Sequence, residues 1–329
     1  HRFMKPGKIR LNDPQDYVAA LTEAFVMVDM DHRRAVMLEQ IQRAVKPVGG
    51  NILEDAELVE TNNHLVESPE VVLGRFEDKF LELPREILVT AMREHQRYFA
   101  VVDKQDRIMP YFVSINNTRA RDMKIVASGH ERVLRARLED ARFFYRTDLK
   151  TRHDDKVERL KAVLFQTKLG SVYDKIQRVR KLADILCTRL SVDESVRAHV
   201  DRAAWLCKAD LVSQVVIEFP KLQGIMGRIY AAVEGEPDAV ATAIEEHYRP
   251  VYSGGALPQS RTGAILSIAD KLDTMCGCFH AGLVPTGASD PYALRRHGIG
   301  IILTTWEKGF EFSLPEMIDA GIAMFGQND

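Results

Sequence analysis

Cysteine is scarce, with four in 329 residues, which excludes a disulfide framework as the source of stability. Long apolar runs are missing too. None approaches the roughly 18 residues that would cross a bilayer as a helix, so no membrane partner is expected. Neither charge sign dominates: 45 Lys/Arg face 47 Asp/Glu for a net charge of −2, and overall charge alone predicts no polyanion partner. With 20 Gly and 13 Pro there is no collagen-like or low-complexity bias. The start, His1-Arg2-Phe3-Met4-Lys5-Pro6, lacks the apolar stretch of a signal peptide. A chain that opens on His1 rather than Met reads as a fragment of something longer.

What is present is an ordinary globular composition, 46% hydrophobic and 28% charged. At about 150 residues per domain, the length suggests two domains. Charge is unevenly spread: between Arg119 and Lys181 there are 18 Lys/Arg against 9 Asp/Glu. Such asymmetry fits a nucleic-acid face. It equally fits a solvated helix, because acids are interleaved with the bases.

The first 120 residues read as mixed α and β. Asp13 suits an N-cap and Pro14 a first turn, ahead of Tyr17, Val18, Leu21, Phe25 and Val28 at helical spacing. Further helices are expected from His32 to Val45, Glu54 to Val66 and Pro84 to Glu94. Val71 to Phe76, Tyr98 to Val102 and Met109 to Ile115 read as strands, the last two joined as a hairpin through Asp103-Lys104-Gln105-Asp106. After Asn116-Asn117-Thr118 the strand signal nearly vanishes. Val126 to Tyr145 is a long helix with a stripe of Val133, Leu134, Leu138, Ala141 and Phe144. Helices then follow at Asp154–Leu164, Val172–Leu190, Glu194–Phe219, Pro237–His247, Leu266–Cys278 and Pro291–Trp306. The expected organisation is an α+β module over 1–120 and an all-α domain over 121–329.

Few motifs nominate chemistry. No P-loop, no dinucleotide fingerprint after a strand and no G-x-S-x-G elbow occur. Cys276-Gly277-Cys278 is one close pair without a second, and helical C-x-C directs its thiols about 200° apart, so buried apolar cysteine is the better reading than zinc. Gly224 and Gly227 are small residues spaced by three, a mark of close helix packing. Nothing assembles a nucleophile, a base and an orienting acid. More informative are the charges within apolar helical patterns: Lys208-Ala209-Asp210 after Trp205-Leu206-Cys207, and Asp270-Lys271-Leu272-Asp273 after Ile265 to Ala269. Such charges are costly to bury unless paired. Asp270 and Asp273 are i, i+3 and share a helix face. They would pair across the bundle or hold a metal.

An all-α domain with Asp on one helix and Ala-Asp-Lys on a later one resembles the HD superfamily of metal-dependent phosphohydrolases. Asp210 matches the Asp of the His-Asp pair and Asp270 the distant Asp. Position 209 is Ala rather than His, which removes a metal ligand and leaves carboxylates that hold Mg²⁺ only weakly. A closer resemblance covers nearly the whole chain. It is carried by His1-Arg2-Phe3 with Gly7 through Leu11, Leu83-Pro84-Arg85-Glu86-Ile87-Leu88, Met92 through Phe99, and Glu131 through Ala141. It continues through Lys208-Ala209-Asp210-Leu211, Glu218 through Gly227, Ala269 through Asp273, Pro285 through Pro291, and Ala293-Leu294-Arg295-Arg296. On these motifs the chain resembles the β-subunit family of the bacterial heterotetrameric glycyl-tRNA synthetases.

The resemblance implies a cytoplasmic α2β2 aminoacyl-tRNA synthetase in which the α subunit binds glycine, ATP and Mg²⁺, and the β subunit binds tRNA-Gly. It implies no cofactor and no catalytic residue or metal in this chain. The family's β subunit is longer, so an N-terminal part and a C-terminal anticodon-binding helical domain would lie outside it. The first 120 residues would form part of a B3/B4-like region, and the remainder a degenerate HD domain. The candidate tRNA contacts are then Arg132, Arg135, Arg142 and Arg146, which share a helical face, with Arg295 and Arg296. Phosphate contact competes with intrahelical pairing to Glu139 and Asp140 for the first set, and with pairing to Asp270 or Asp273 for the second. Of Phe143, Phe144 and Tyr145, one is a candidate for base stacking and at least two for core packing. Asp290 is expected to cap a helix with Pro291 at its first position. Lys208, Asp210, Asp270, Lys271 and Asp273 are expected to form a buried ionic network. The rival readings are a free-standing HD-type phosphohydrolase and a structural scaffold without RNA contact.

Overall fold

The computed structural model describes residues 4, 5, 7–287 and 289–326. Of the motifs above, His1-Arg2-Phe3 and Ala288 lie outside the described residues. The chain divides into two compact units, residues 1–143 and 144–329. The strands of the first unit stop at Asn116, close to the expected boundary at 120, whereas the compact units divide inside the long helix that follows.

In the first unit, α1 (Tyr17–Glu23) and α2 (Met30–Val45) precede β1 (Asn51–Ile52), α3 (Ala56–Leu65) and β2 (Glu70–Arg75). Then come α4 (Arg85–Gln96), β3 (Phe99–Val102), β4 (Ile108–Asn116) and the first part of α5 (Met123–Asp148), whose residues from Phe144 on belong to the second unit. The strands form one antiparallel sheet in the order β1-β3-β4-β2. Met37, Ile41 and Val45 recur every four residues on α2 and pack on Leu58 of α3 and on Phe99, Val101 and Val113 of the sheet. The alternate residues Phe112 and Tyr98 stack with ring centroids 4.7 Å apart. Gly74 lies opposite Phe112 in the register, and a Cβ there would come within 2.3 Å of the ring. The β3–β4 turn forms as the sequence predicts, with Asp103 Oδ1 accepting from the Gln105 and Arg107 amides at 2.9 and 3.0 Å.

The second unit holds α6 (His153–Arg159), a short hairpin of β5 (Leu164–Gln166) and β6 (Gly170–Ser171), α7 (Val172–Arg189) and α8 (Glu194–Leu206). It continues with α9 (Gln214–Glu218), α10 (Ile225–Val233), α11 (Asp238–Glu246), α12 (Arg261–His280), α13 (Leu294–Glu307) and α14 (Leu314–Ala323). Sixteen of the twenty α12 residues are buried, because α7, α8, α11, α13 and α14 surround it. Such a helix has no solvated face on which to place a charge. All four cysteines are free and buried, as the C-x-C reading expected.

Several expectations are corrected. Glu194–Phe219 is not one helix: α8 ends at Leu206, a 3-10 turn spans Ala209–Val212, and α9 begins at Gln214. Lys208 and Asp210 therefore sit at a break rather than within a helix. The helix after Asp290 starts at Leu294, so Pro291 is not its first residue, although Asp290 does accept from the Leu294 and Arg295 amides. Val133 does not join the buried stripe; Leu134, Leu138 and Ala141 do.

Candidate functional site

Three acids of the second unit are each buried and each held differently. Asp273 faces α7: its Oδ1 accepts from Arg178 Nε at 2.6 Å and its Oδ2 from Lys175 Nζ at 3.0 Å. Lys175 also donates to Thr274 Oγ1 at 2.8 Å and lies 3.2 Å from Asp270 Oδ1. It therefore bridges the two carboxylates that the i, i+3 spacing places on one face. Asp270 Oδ2 accepts from Lys208 Nζ at 3.3 Å. Burial alone would raise the Asp270 pKa, but Lys175 and Lys208 outweigh it and hold the carboxyl well below its usual range.

Lys208 donates to His247 Nε2 at 2.7 Å, and its ammonium lies 4.1 Å from the centre of the Tyr248 ring. His247 Nδ1 is 2.6 Å from the Ile244 carbonyl, so Nδ1 carries the proton and Nε2 accepts. Burial and the adjacent Lys208 push the His247 pKa well below its ordinary value, consistent with a neutral ring. Asp210 pairs with no base at contact among the described residues. Its Oδ2 accepts from the Gly224 and Gly227 amides at 2.6 and 3.1 Å and so closes the N-terminus of α10. Burial pushes its pKa up to about 6 against those bonds, and Oδ1 has no partner among the described residues. Lys271 donates to the His247 and Arg249 carbonyls at 3.0 and 2.8 Å and to Ser267 Oγ at 2.6 Å, all uncharged acceptors. Burial lowers its pKa to about 7.

Of the five residues expected to form one network, Lys208, Asp270 and Asp273 are joined through Lys175, whereas Asp210 is held by backbone amides and Lys271 by two carbonyls and a hydroxyl. Lys175, Arg178 and His247 belong to the centre and were missed. The clue for the first two was available, since acids in an all-round buried helix require cations from a neighbour, and α7 offers bases spaced by three. Arg295 and Arg296 do not pair with Asp270 or Asp273. Arg295 donates to the Thr286 carbonyl at 2.6 Å, and Arg296 lines a cleft of about 560 Å³ beside His247, Asp270 and Lys271.

In the first unit, the basic residues on and before α5 fall into two sets. Arg135 pairs with Glu77 at 2.9 Å and Arg142 with Glu82 at 2.5 Å, while Glu139 pairs with Lys79 at 2.6 Å. The partners Glu77, Lys79 and Glu82 lie in the 77–82 segment, not within the helix as the sequence pattern allowed. The side chains of Arg119, Arg121, Lys124 and Arg132 are exposed and make no hydrogen bond or ion pair with a described residue. The helix is fixed to the sheet by His130, which sits between Tyr98 Oη at 2.7 Å and Asn116 Oδ1 at 2.9 Å. Arg146, near the helix end, is exposed. Of the three aromatics, Phe143 is exposed and Tyr145 stacks on Tyr230 at 5.8 Å.

A profile of the family described as glycyl-tRNA synthetase beta subunit matches residues 1–329. The chain belongs to the glycyl-tRNA synthetase beta subunit family. It is 54% identical over 325 residues to the glycine–tRNA ligase beta subunit of Desulforapulum autotrophicum, covering 99% of this chain and 47% of that protein. Identity to the corresponding subunit of Desulfatibacillum aliphaticivorans is 49% over 324 residues, covering 98% and 47%. For that of Geobacter sulfurreducens it is 50% over 314 residues, covering 95% and 45%. The chain spans about half the length of the curated relatives it matches.

For this glycyl-tRNA synthetase beta subunit family member, the donor set does not fit an HD-type metal centre. Asp210 and Asp270, the two positions matched to HD ligands, are committed to backbone amides and to two ammonium groups. Among the described residues, no group of three or more His, Cys, Asp or Glu is arranged to hold a metal ion. No helix among the described residues is long and apolar enough to cross a membrane.

Proposed function

We propose that this chain is the part of a cytoplasmic glycine–tRNA ligase beta subunit that engages tRNA-Gly and positions it for glycylation by an alpha subunit in an α2β2 assembly. The observation that carries the reading is the unbroken family match over residues 1–329. ATP, Mg²⁺ and glycine would be bound by the alpha subunit, and this chain would supply no catalytic group. Support for RNA contact comes from Arg119, Arg121, Lys124 and Arg132, which present cations that no described acid neutralises. Phosphates dominate such recognition. Arg135 and Arg142 remain candidates, because exposed ion pairs are weak and exchange readily for phosphate. Arg146, Arg295 and Arg296 complete the candidate set.

The buried centre is read as a degenerate HD site that has become structural. Lys175 and Lys208 stand at the Asp270 carboxylate, where a metal-binding domain would need a cation, and they hold α7, α12 and the segment after α8 together. The test is glycylation of tRNA-Gly by purified alpha subunit with full-length beta subunit, with Mg²⁺- and Mn²⁺-supported hydrolysis of nucleoside phosphates measured on the same beta subunit. Glycylation that requires both subunits, without beta-subunit hydrolysis, is the expected result. Hydrolysis that is lost in Asp270→Asn would favour the phosphohydrolase reading instead.

A further inference from the structure

Helix α13 is apolar on two sides. Its buried residues, Leu294, Gly300, Ile301 and Thr304, lie on one side, and the helix packs on α12. Ile299, Ile302, Leu303 and Trp306 recur at i, i+3, i+4 and i+7, the spacing of a helix-packing seam, yet all four are exposed, Trp306 by 81%. No Asp, Glu, Lys or Arg occurs from His297 to Trp306, so this stretch of the outward face has no charged side chain to solvate it. Single apolar residues on a surface are ordinary, but four in register on one helix form a contiguous patch. A helix apolar all round is expected to be enclosed, as α12 is.

The seam lies between two grooves of the same unit. On one side, Ile299 and Leu303 share a cleft of about 350 Å³ with the exposed ring of Tyr252. On the other, Ile302 and Trp306 share one of about 490 Å³ with Phe310, Phe312 and Leu314. Those last three also pack against the core cluster that contains Ile301. The surface is therefore continuous with the hydrophobic core of the unit, like a core left open on one side, which is the character of permanent contacts rather than transient ones. A helix laid along α13 would fill the grooves and remove the four side chains from water.

We propose that an apolar helix from the half of the beta subunit outside this chain packs along α13 and covers Ile299, Ile302, Leu303 and Trp306. The inference rests on reading this chain as part of a longer beta subunit, and not on RNA contact. Two observations select that occupant. This chain covers 47% of each of two curated relatives, so more than half of such a subunit lies outside it. The seam is also narrow. An interface between separate proteins usually takes about 20–30 residues a side, far more than the four of this seam with Tyr252 beside them. A segment of the same polypeptide needs less contact, because its linker holds it at a high effective concentration. The facing side of that helix should be apolar and uncharged, since a charge buried against this seam would be unpaired.

The test is hydroxyl-radical footprinting of the full-length beta subunit, alone and with the alpha subunit, together with photo-crosslinking from p-benzoylphenylalanine placed at Trp306. That replacement keeps a large apolar ring at the seam. In the isolated full-length subunit, at dilutions where it is monomeric, oxidation of Trp306 should be largely lost relative to the urea-unfolded subunit. The crosslinked peptide should come from the part of the subunit outside these 329 residues. Trp306 oxidised as fast as in the unfolded subunit overturns the proposal. So does protection only when the alpha subunit is added, protection only at concentrations where the beta subunit self-associates, or a crosslink confined to residues 1–329. Glycylation of tRNA-Gly by the wild-type subunits is read separately. Charging with an unprotected Trp306 fails this inference alone, and a protected Trp306 without charging fails the functional reading alone.

Discussion

Replacing Asp273 by alanine removes the acceptor that two buried bases share. Arg178 would keep the Leu169 carbonyl at 3.2 Å, and Lys175 would keep Asp270 and Thr274, so neither is fully orphaned. Breaking a buried ion pair from one side usually costs about 3–5 kcal/mol. The retained partners place this case near the lower end, at about 3 kcal/mol. In a unit of this size that is a fall in Tm of about 6–12 °C. Both tryptophans, Trp205 and Trp306, lie in the second unit, so tryptophan fluorescence during urea or thermal unfolding reports that unit alone. Trp205 is a suitable probe because its Nε1 donates to Asp154 at 2.8 Å and its ring meets Tyr173 edge-on at 5.9 Å. Lys175→Met/Asp273→Leu should lose at least about 1 kcal/mol less than the sum of the two single variants, because removing both charges leaves less unpaired. Additive losses, or an Asp273→Ala change below about 1 kcal/mol, would refute the claim that this pair holds α7 to α12.

Asp210 makes a prediction about pH. Its folded pKa of about 6 lies above the ordinary 3.8, so the folded state holds a proton that the unfolded chain has released between those values. Stability should therefore fall as pH rises from about 4 to about 6, and an Asp210→Asn variant should lack that component of the slope. Denaturation midpoints of the two proteins across pH 4–8 check it; parallel curves would count against a buried, strained carboxylate. Gly227→Ala should destabilise by about 1–3 kcal/mol, since the new Cβ would stand 2.6 Å from Ile244 Cγ2, and chemical denaturation reads this directly. On α5, Arg121→Ala/Arg132→Ala should weaken tRNA binding more than Arg135→Ala/Arg142→Ala, because the latter two already have carboxylate partners. Filter binding at fixed salt compares them, and the reverse ranking would show that the paired arginines are the ones that meet RNA.

The alternation of architecture was legible where periodicity was long and uninterrupted, as in α2, α7 and the β3–β4 hairpin. β1, β5 and β6 are two or three residues long, too short for a period-two pattern to declare itself. The break after Leu206 was invisible because the apolar pattern continues across it. Just past the break, the Asp210 carboxylate makes a distant contact, accepting from the Gly224 and Gly227 amides at the start of α10. The buried acids were recognisable because Asp270 and Asp273 interrupt an otherwise apolar helix. Their partners were not, since Lys175 and Arg178 look like ordinary charges on an amphipathic helix until α12 is known to be enclosed. Likewise the arginines of α5 were identifiable as a face, but Glu77 and Glu82 lie some 60 residues away, and only the fold brings them to Arg135 and Arg142.

The most direct test of the proposed role is the salt dependence of tRNA binding by the full-length beta subunit, measured for tRNA-Gly and one other tRNA. Wild type should be compared with an Arg121→Ala/Lys124→Ala/Arg132→Ala variant from low to physiological salt. The account predicts tight binding that weakens steeply with salt, and a slope in the variant that is shallower by about one unit for each phosphate that its side chains no longer neutralise. Identical affinity and slope in the two proteins would contradict a phosphate-contacting face on α5.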